Sequence, residues 1–489
     1  MISIVFYFCC AGLMLVLSLS GPIFVSLLAG ETAIASRLSV YLLLGGFLFA
    51  APILAIWERT RRVPHMGGLV LVVLVWLLLP VLAAIPILDV TDLGMVDSLF
   101  EAVSGFTTTG ASVVVDISTW SQGMTFWRSQ LQWLGGFFAM MTILLVLAPM
   151  GIGGLNLNAV AVFRIRRGMA SWGRMVMVTQ RFGIYYIIFT GVVFLILVLT
   201  GTRPFYAANL AMTAVSTGGF LPFNRDLDIT VGVIGLLVMG LALLIAATSV
   251  FWQRMITAGQ WSRLKEHRES YSIMAVVLVI GIVLGYMLIR VTGAGESQGG
   301  RLLAEGLFNA ASLVSTSGIE SRPGIFTLIP LPIVLFVILL GGSAFSTSGG
   351  LKHYRVGAMA VQSWSELDRL VFPHAVRPSR FGTQFYDLQL MKSIWSYFMV
   401  ALVTIGVGTV IVATASIPFE AALTATVSAF TTAGPVYQSG FAPPGQPAWP
   451  QFFEFTVTAK LALCAIMVLG RIEVLALLGI FSTHYWRTR

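Results

Sequence analysis

Four short stretches of this 489-residue chain carry the residues best suited to chemistry. Each is a run of small and hydroxylated residues that reaches a glycine. They are Val103-Ser-Gly-Phe-Thr-Thr-Thr-Gly110, Ala211-Met-Thr-Ala-Val-Ser-Thr-Gly218, Ala311-Ser-Leu-Val-Ser-Thr-Ser-Gly318 and Val427-Ser-Ala-Phe-Thr-Thr-Ala-Gly434. Glycine enters left-handed backbone angles at no steric cost, so successive carbonyls can turn the same way. Four such loops around one axis would form a ring of oxygens able to replace the hydration shell of a cation. The candidate ligands are Thr108, Thr109, Gly110 and Ala111; Ser216, Thr217, Gly218 and Gly219; Thr316, Ser317, Gly318 and Ile319; and Thr432, Ala433, Gly434 and Pro435. Other chemistries find little support. Cys9, Cys10 and Cys464 lie in apolar runs, and the five histidines are scattered through polar connections without metal-ligand spacing. A hydrolase or metalloenzyme has no visible constellation.

The elements that must position these loops follow from composition. The chain is 57% hydrophobic and only 10% charged, with a mean hydropathy of +0.91. A soluble domain is about a quarter charged, so the chain reads as an all-α integral membrane protein. A hydrocarbon core about 30 Å thick needs about 20 apolar residues per helix. Runs near 2–29, 38–57, 67–88, 129–150, 182–200, 229–252, 271–290, 327–342, 391–413 and 455–481 give ten expected spans. The first has no Lys or Arg ahead of it and exceeds a signal h-region, so it reads as a retained helix.

The net charge of +9 is uneven along the chain. Counted from a cytoplasmic N-terminus, 20 of the 29 Lys and Arg fall in inner loops and seven in outer loops. That bias places both termini inside, in a multi-pass protein of a bacterial inner membrane. Nucleic acid is not an expected partner; membrane lipid is. Acidic residues such as Asp97, Glu101, Asp226, Asp228, Glu305 and Glu320 fall outside and would gather cations at an external mouth, or are ordinary solvated charges.

The glycines recur at spacings of 108, 100 and 116 residues, in the outer connections after spans three, five, seven and nine. Before each lies a stretch too short to cross: Asp97–Phe106, Tyr206–Val215, Leu303–Val314 and Glu420–Phe430. These suit short helices ending partway down the membrane, where irregular backbone survives only inside protein or beside water. Their negative C-terminal ends would favour a cation. A repeat of that period means similar modules in one polypeptide.

These residues resemble the Trk/Ktr/HKT superfamily of potassium transporters, and its TrkH branch in particular. The similarity rests on the four glycine segments, Phe126-Trp-Arg-Ser-Gln-Leu-Gln-Trp-Leu-Gly-Gly136, Pro149-Met-Gly-Ile-Gly-Gly154, the run from Gly341 to Lys352, and Leu469-Gly-Arg-Ile-Glu-Val474. It covers essentially the whole chain and implies four pseudo-repeated helix–pore-helix–filter-loop–helix modules around one pore. The divisions are an N-terminal helix pair (1–63), then modules at 64–168 (filter 107–112), 169–269 (filter 215–220), 270–388 (filter 315–319) and 389–489 (filter 431–436). It also implies a homodimer, a cytoplasmic nucleotide-binding regulatory subunit of the TrkA type, potassium as cargo and no organic cofactor. Glycine at the key place of every loop, here Gly110, Gly218, Gly318 and Gly434, goes with potassium in the family.

The eighth run is broken by Gly341, Gly342, Phe345, Ser346, Thr347, Gly349 and Gly350, a composition that cannot sustain a good helix. The resemblance makes this broken inner helix (341–350) the gate, with Phe345 and Ser348 where glycine is common, so a bulky ring is expected near the constriction. Arg471, midway along the last run, is expensive there unless it meets partners or water. It is expected beside the glycine-rich loop, donating to carbonyls, with Glu473 a possible neighbour. Lys460 either takes a structural place beside the filter or snorkels. Leu351–Leu370 reads as a helix that transmits regulatory motion or as a basic segment against anionic lipid.

Uptake driven by the membrane potential is the leading reading, at about 2.3 kcal/mol per charge per 100 mV. Symport of potassium with protons or sodium is the alternative, and it needs a second site that the sequence does not display. A lipid-processing enzyme would need a nucleophile and base, or metal ligands, at one depth.

Overall fold

The computed structural model describes residues 2–58, 65–150, 171–264, 267–293, 296–371, 380–381, 384–385, 388–442 and 447–472. Expectations for Gly151–Gly154, Glu473 and the end of the last apolar run lie outside these residues.

The described chain is helical apart from a two-residue antiparallel pairing of Arg380–Phe381 with Gln384–Phe385. An N-terminal group comprises α1 (Ile2–Leu17), α2 (Ser20–Leu28) and α3 (Thr32–Ala55). Next come α4 (His65–Val90), the short α5 (Met95–Phe106), α6 (Gln122–Thr142), which passes through a π turn at Ile143–Leu147 into α7 (Ala148–Met150), and α8 (Ser171–Leu199). The short α9 (Pro204–Ser216) leads to α10 (Leu227–Ala247), α11 (Val250–Thr257), α12 (Trp261–Leu264), α13 (Arg268–Thr292) and α14 (Glu296–Val314). The last described elements are α15 (Leu331–Leu340), α16 (His353–Val371), α17 (Leu388–Ala413), the short α18 (Phe419–Thr431) and α19 (Val457–Ile472).

Eight helices among the described residues are long and apolar enough to cross a membrane. The membrane-helix reading therefore stands, but two of the ten expected spans do not appear in that form. The run at 327–342 yields only the 10-residue α15, because Pro330 starts it late and Gly341 stops it. The last run gives 16 described residues in α19. α14 is longer than its expected stretch, beginning at Glu296 rather than Leu303.

Burial sorts the helices. In α3, Leu43, Phe47 and Leu54 point outward at 72%, 77% and 73% exposure, the surface of a lipid-facing helix. The short helices α5, α9 and α18 are buried along nearly their whole C-terminal halves. That depth requires small residues on the long helices crossing their ends. A Cβ on Gly135 of α6 would stand 1.8 Å from the Phe106 carbonyl oxygen, and one on Gly470 of α19 would stand 2.1 Å from that of Phe430. The two contacts match: each long helix is pressed onto the last turn of a short one.

Gly135→Val should force α6 off α5, at a cost of about 1–3 kcal/mol for overpacking a tight contact. A lower unfolding temperature of the detergent-solubilised protein, with Gly46→Val (open space around its Cβ) as the unaffected control, is the expected result.

Candidate functional site

The short helices end in one repeated backbone device. Thr108, Thr217, Thr316 and Thr432 have φ of 58°, 53°, 61° and 59°. A β-branched residue there is an outlier that persists only when its surroundings fix it. The next amide in each loop donates five residues back to a helix carbonyl: Thr109 to Ser104 (2.8 Å), Gly218 to Thr213 (2.9 Å), Ser317 to Ser312 (3.0 Å) and Ala433 to Ser428 (2.8 Å). Buried hydroxyls of Ser104, Ser312 and Ser428 also share one place in this frame and have no partner among the described residues.

This geometry corrects the register of the second loop. By conformation the equivalent glycines are Gly110, Gly219, Gly318 and Gly434, and Gly218 takes the place of Thr109. The pattern that fixes the register is Ser or Thr, then Thr, any residue, then Gly: Thr107-Thr108-Thr109-Gly110, Ser216-Thr217-Gly218-Gly219, Ser315-Thr316-Ser317-Gly318 and Thr431-Thr432-Ala433-Gly434. Aligning the hydroxyl-threonine pair rather than the first glycine would have found it.

The four loops meet. A Cβ on Gly110 would lie 2.3 Å from Gly219 Cα, one on Gly219 would lie 2.6 Å from Pro435 Cγ, and one on Gly434 would lie 2.3 Å from the Ala111 nitrogen. The Gly434 amide donates to the Thr109 carbonyl at 2.8 Å, and Ser317 Oγ donates to the Gly218 carbonyl. Some loop carbonyls are thus consumed by the protein. Those of Thr108, Thr217, Thr316 and Thr432 receive no donor among the described residues, although all four residues are fully buried. Buried backbone oxygens are almost always paired, so four orphans in equivalent positions need an external partner.

On one side of this ring lies a cavity of about 490 Å³, lined by Gly110, Gly219, Gly318 and Pro435 together with Asn224, Asp226 and Glu320. The expected acidic mouth is largely structural. Glu101 is buried and pairs with Arg128 at 3.1 Å, while Asp228 and Glu305 are held by Arg301 and Arg322. Asp97 pairs with Lys460 at 2.6 Å, which fixes α19 against the start of α5, so the Lys460 charge is buried in a contact rather than snorkelling. Glu320 differs: burial pushes its carboxyl up to about 7, against hydrogen bonds from the Phe326 and Gly324 amides at 2.8 and 3.0 Å.

Two clamps behind the loops escaped sequence reasoning. Glu101 Oε1 accepts the Val113 amide at 2.7 Å, and Asn309 Oδ1 accepts the Ser321 amide at 3.1 Å. Both side chains stand seven residues before the left-handed threonine, a coincidence visible once the loops are aligned correctly. Arg128 completes the first clamp, stacking 3.9 Å above the Phe220 ring and donating to Ser112 Oγ at 2.9 Å.

On the other side of the ring the chain between α15 and α16 forms an irregular loop. Its base is closed by Leu351 N to Leu339 O (2.8 Å) and His353 N to Gly342 O (2.9 Å). Gly341 and Gly350 take φ of 61° and 77°. Its tip reaches the glycine loops: the Gly349 amide donates to Thr316 Oγ1 at 2.7 Å, Thr347 Oγ1 to the Val215 carbonyl at 3.4 Å, and the Gly349 Cα side abuts Thr431 and Thr432. Arg471 bridges the remaining loop, donating to the Thr107 carbonyl (2.7 Å), the Thr347 carbonyl (2.7 Å) and Thr108 Oγ1. Phe345 is elsewhere: its ring packs edge-on to Phe251 at 4.7 Å, and its carbonyl accepts from Val250, so the contacts with the ring come from Thr347, Ser348 through Arg471, and Gly349.

Four buried backbone oxygens without a donor among the described residues, on four touching loops inside a body of membrane-length helices, suit a cation stripped of water, which is the setting of a cation transporter. The family model described as "TrkH: Cation transport protein" matches residues 47–225 and 227–487, and the chain belongs to that family. Curated relatives include the Trk system potassium uptake protein TrkH of Salmonella typhimurium, 26% identical over 88% of this chain and 89% of the relative. The Trk system potassium uptake protein TrkI of Halomonas elongata is 25% identical over 97% of this chain and 95% of its own. TrkG of Escherichia coli K12, also a Trk system potassium uptake protein, is 25% identical over 91% and 89%. The crystal structure of the potassium transporter TrkH from Vibrio parahaemolyticus superposes with a TM-score of 0.83 over 99% of each chain, at 22% identity, a likeness of fold.

The raised Glu320 carboxyl makes stability depend on pH. The folded state keeps the proton up to about 7 while the unfolded chain releases it near 4.5, so stability falls as pH rises across that window. Glu320→Gln should flatten the slope of unfolding temperature against pH between those values; an unchanged slope contradicts the assignment.

Proposed function

We propose that this chain takes up potassium across a bacterial inner membrane through the ring of loop carbonyls, with the membrane potential as the main drive. The four unpaired threonine carbonyls carry this reading. They are equivalent in conformation, come from four loops in mutual contact, and lie buried where water is scarce. Oxygens fixed by the fold replace the hydration shell of a monovalent cation. The C-terminal ends of α5, α9, α14 and α18 add negative potential at the same place. The family and the names of its relatives agree with this cargo.

The ion-binding residues in this reading are Thr108, Thr109, Gly110 and Ala111 and their counterparts in the other three loops, with Thr217, Gly218, Gly219 and Phe220 in the second. The loop at 341–350 acts as the gate, held under the ring by Arg471. A guanidinium beside the path opposes cation passage while the loop is in place. The modules divide near residues 63, 168, 269 and 388, both termini face the cytoplasm, and the working unit is a homodimer under a nucleotide-binding subunit of the TrkA type.

Reconstitution in liposomes separates drive from coupling. Potassium flux should follow an imposed inside-negative potential and stay unchanged when a proton gradient is added or removed; a requirement for the proton gradient would make the protein a symporter.

Substitution tests the ring and its register together. Gly110→Ser and Gly219→Ser should each cut potassium-over-sodium discrimination by about tenfold, ~1.4 kcal/mol. Gly218→Ser, whose Cβ meets the Gln132 side chain rather than a neighbouring loop, should cut it less than Gly219→Ser does. Equal effects at Gly218 and Gly219 would return the register to the first glycine.

A further inference from the structure

We infer that Glu269 is the positioning residue of the intramembrane loop: one buried carboxylate ties both limbs of the loop to the first turn of α13 and so holds its tip against the ring. The inference rests on the reading of that loop as the gate.

No regular secondary structure holds the loop. Eight of its ten residues (341–350) are glycine, serine or threonine, and Gly341, Gly350 and Lys352 all sit at positive φ. Glu269 supplies what the loop lacks. It is the second residue of α13 and is 8% exposed. Its Oε2 accepts from Ser343 Oγ at 2.8 Å, and its Oε1 accepts from the Ala344 amide at 2.9 Å. The same Oε1 accepts from the Tyr354 amide at 3.2 Å, beyond the tip in the first turn of α16. Ser343 and Tyr354 bracket the residues that touch the ring, so a single side chain spans the loop from its descending to its returning limb.

Hydrogen bonds to a carboxylate are about twice as strong as neutral ones. The N-terminus of the 19-residue α16 adds a favourable dipole. A buried carboxylate without such donors would be costly, so the bonds and the burial depend on each other. The neighbouring turn of α13 reinforces the contact, with Ser272 Oγ 2.7 Å from His353 Nε2. Burial lowers the His353 and His267 imidazoles below their usual value, against the pull of Glu269. On the tip side, Lys352 Nζ donates to the carbonyls of Ser346 and Ser348.

Glu269→Gln keeps the shape but replaces one acceptor oxygen with a donor, which faces the donors of one limb. In potassium-loaded proteoliposomes of the full chain, resting potassium efflux per folded molecule should rise about tenfold, the scale of one charge-assisted hydrogen bond. Potassium-over-sodium discrimination should stay the same, since the ring is untouched. Ser343→Ala removes one donor only and should raise efflux about threefold, and it keeps the test open if the first variant fails to fold. The double variant should leak no more than Glu269→Gln alone, because both act through one contact. Additive effects, or no rise in either single variant, overturn the inference. Deleting Thr347 and Ser348 separates the two readings. If the deletion leaves resting efflux unchanged, the loop is not a gate. If it raises efflux and Glu269→Gln does not, only the role of Glu269 falls.

Discussion

A backbone oxygen buried inside a membrane protein must be paired, and this structure is arranged around four that are not. Thr108, Thr217, Thr316 and Thr432 are wholly buried, and their carbonyls meet no donor among the described residues. Helices can satisfy their own backbone; a chain that stops halfway and turns cannot. Everything that surrounds the four turns serves to make such stopping tolerable. Small residues let long helices press onto the ends of short ones, side chains grip the amides beyond the first and third turns, and a fifth irregular segment fills the space beneath.

The charged residues show how far this support extends. Of the carboxylates that sequence alone assigned to an outer rim, Glu101, Asp228 and Glu305 are buried partners of arginines and Asp97 holds Lys460. In the fully buried Glu101–Arg128 pair, removing either member strands the other, at about 3–5 kcal/mol. They therefore lock helices together more than they shape a field for incoming ions. Arg471 works across a different boundary. Its guanidinium joins Thr107 and Thr108 of one turn to Thr347 of the loop below, so two irregular segments share one planar donor.

Sequence reading found the helices, the four turns and the broken helix, because each leaves a strong local mark: apolar length, a glycine after hydroxyls, a glycine–serine run inside an apolar one. It missed where the mark was locally ambiguous. Gly218-Gly219 offers two glycines for one position, and the Ser216-Thr217 pair before them, whose threonine is left-handed, decides between them. Phe345 looked like an obstruction because its place in the run was legible but its direction was not; Phe251, distant in sequence, takes its ring. Glu269 carried no mark at all. A glutamate opening a helix reads as an ordinary favourable end charge, and its partners lie 74 to 85 residues away.

The tethers behind the four turns are of unequal kind. The first turn is gripped by the Glu101 carboxylate with Arg128, the third by the neutral Asn309 amide, and the second by the Thr213 hydroxyl on the Phe220 carbonyl. The fourth leans on stacked rings, with Tyr437 between Trp449 and Phe452. Ionic, amide, hydroxyl and aromatic supports are four different answers to one backbone problem, so the four turns share an outline without sharing the chemistry that holds it.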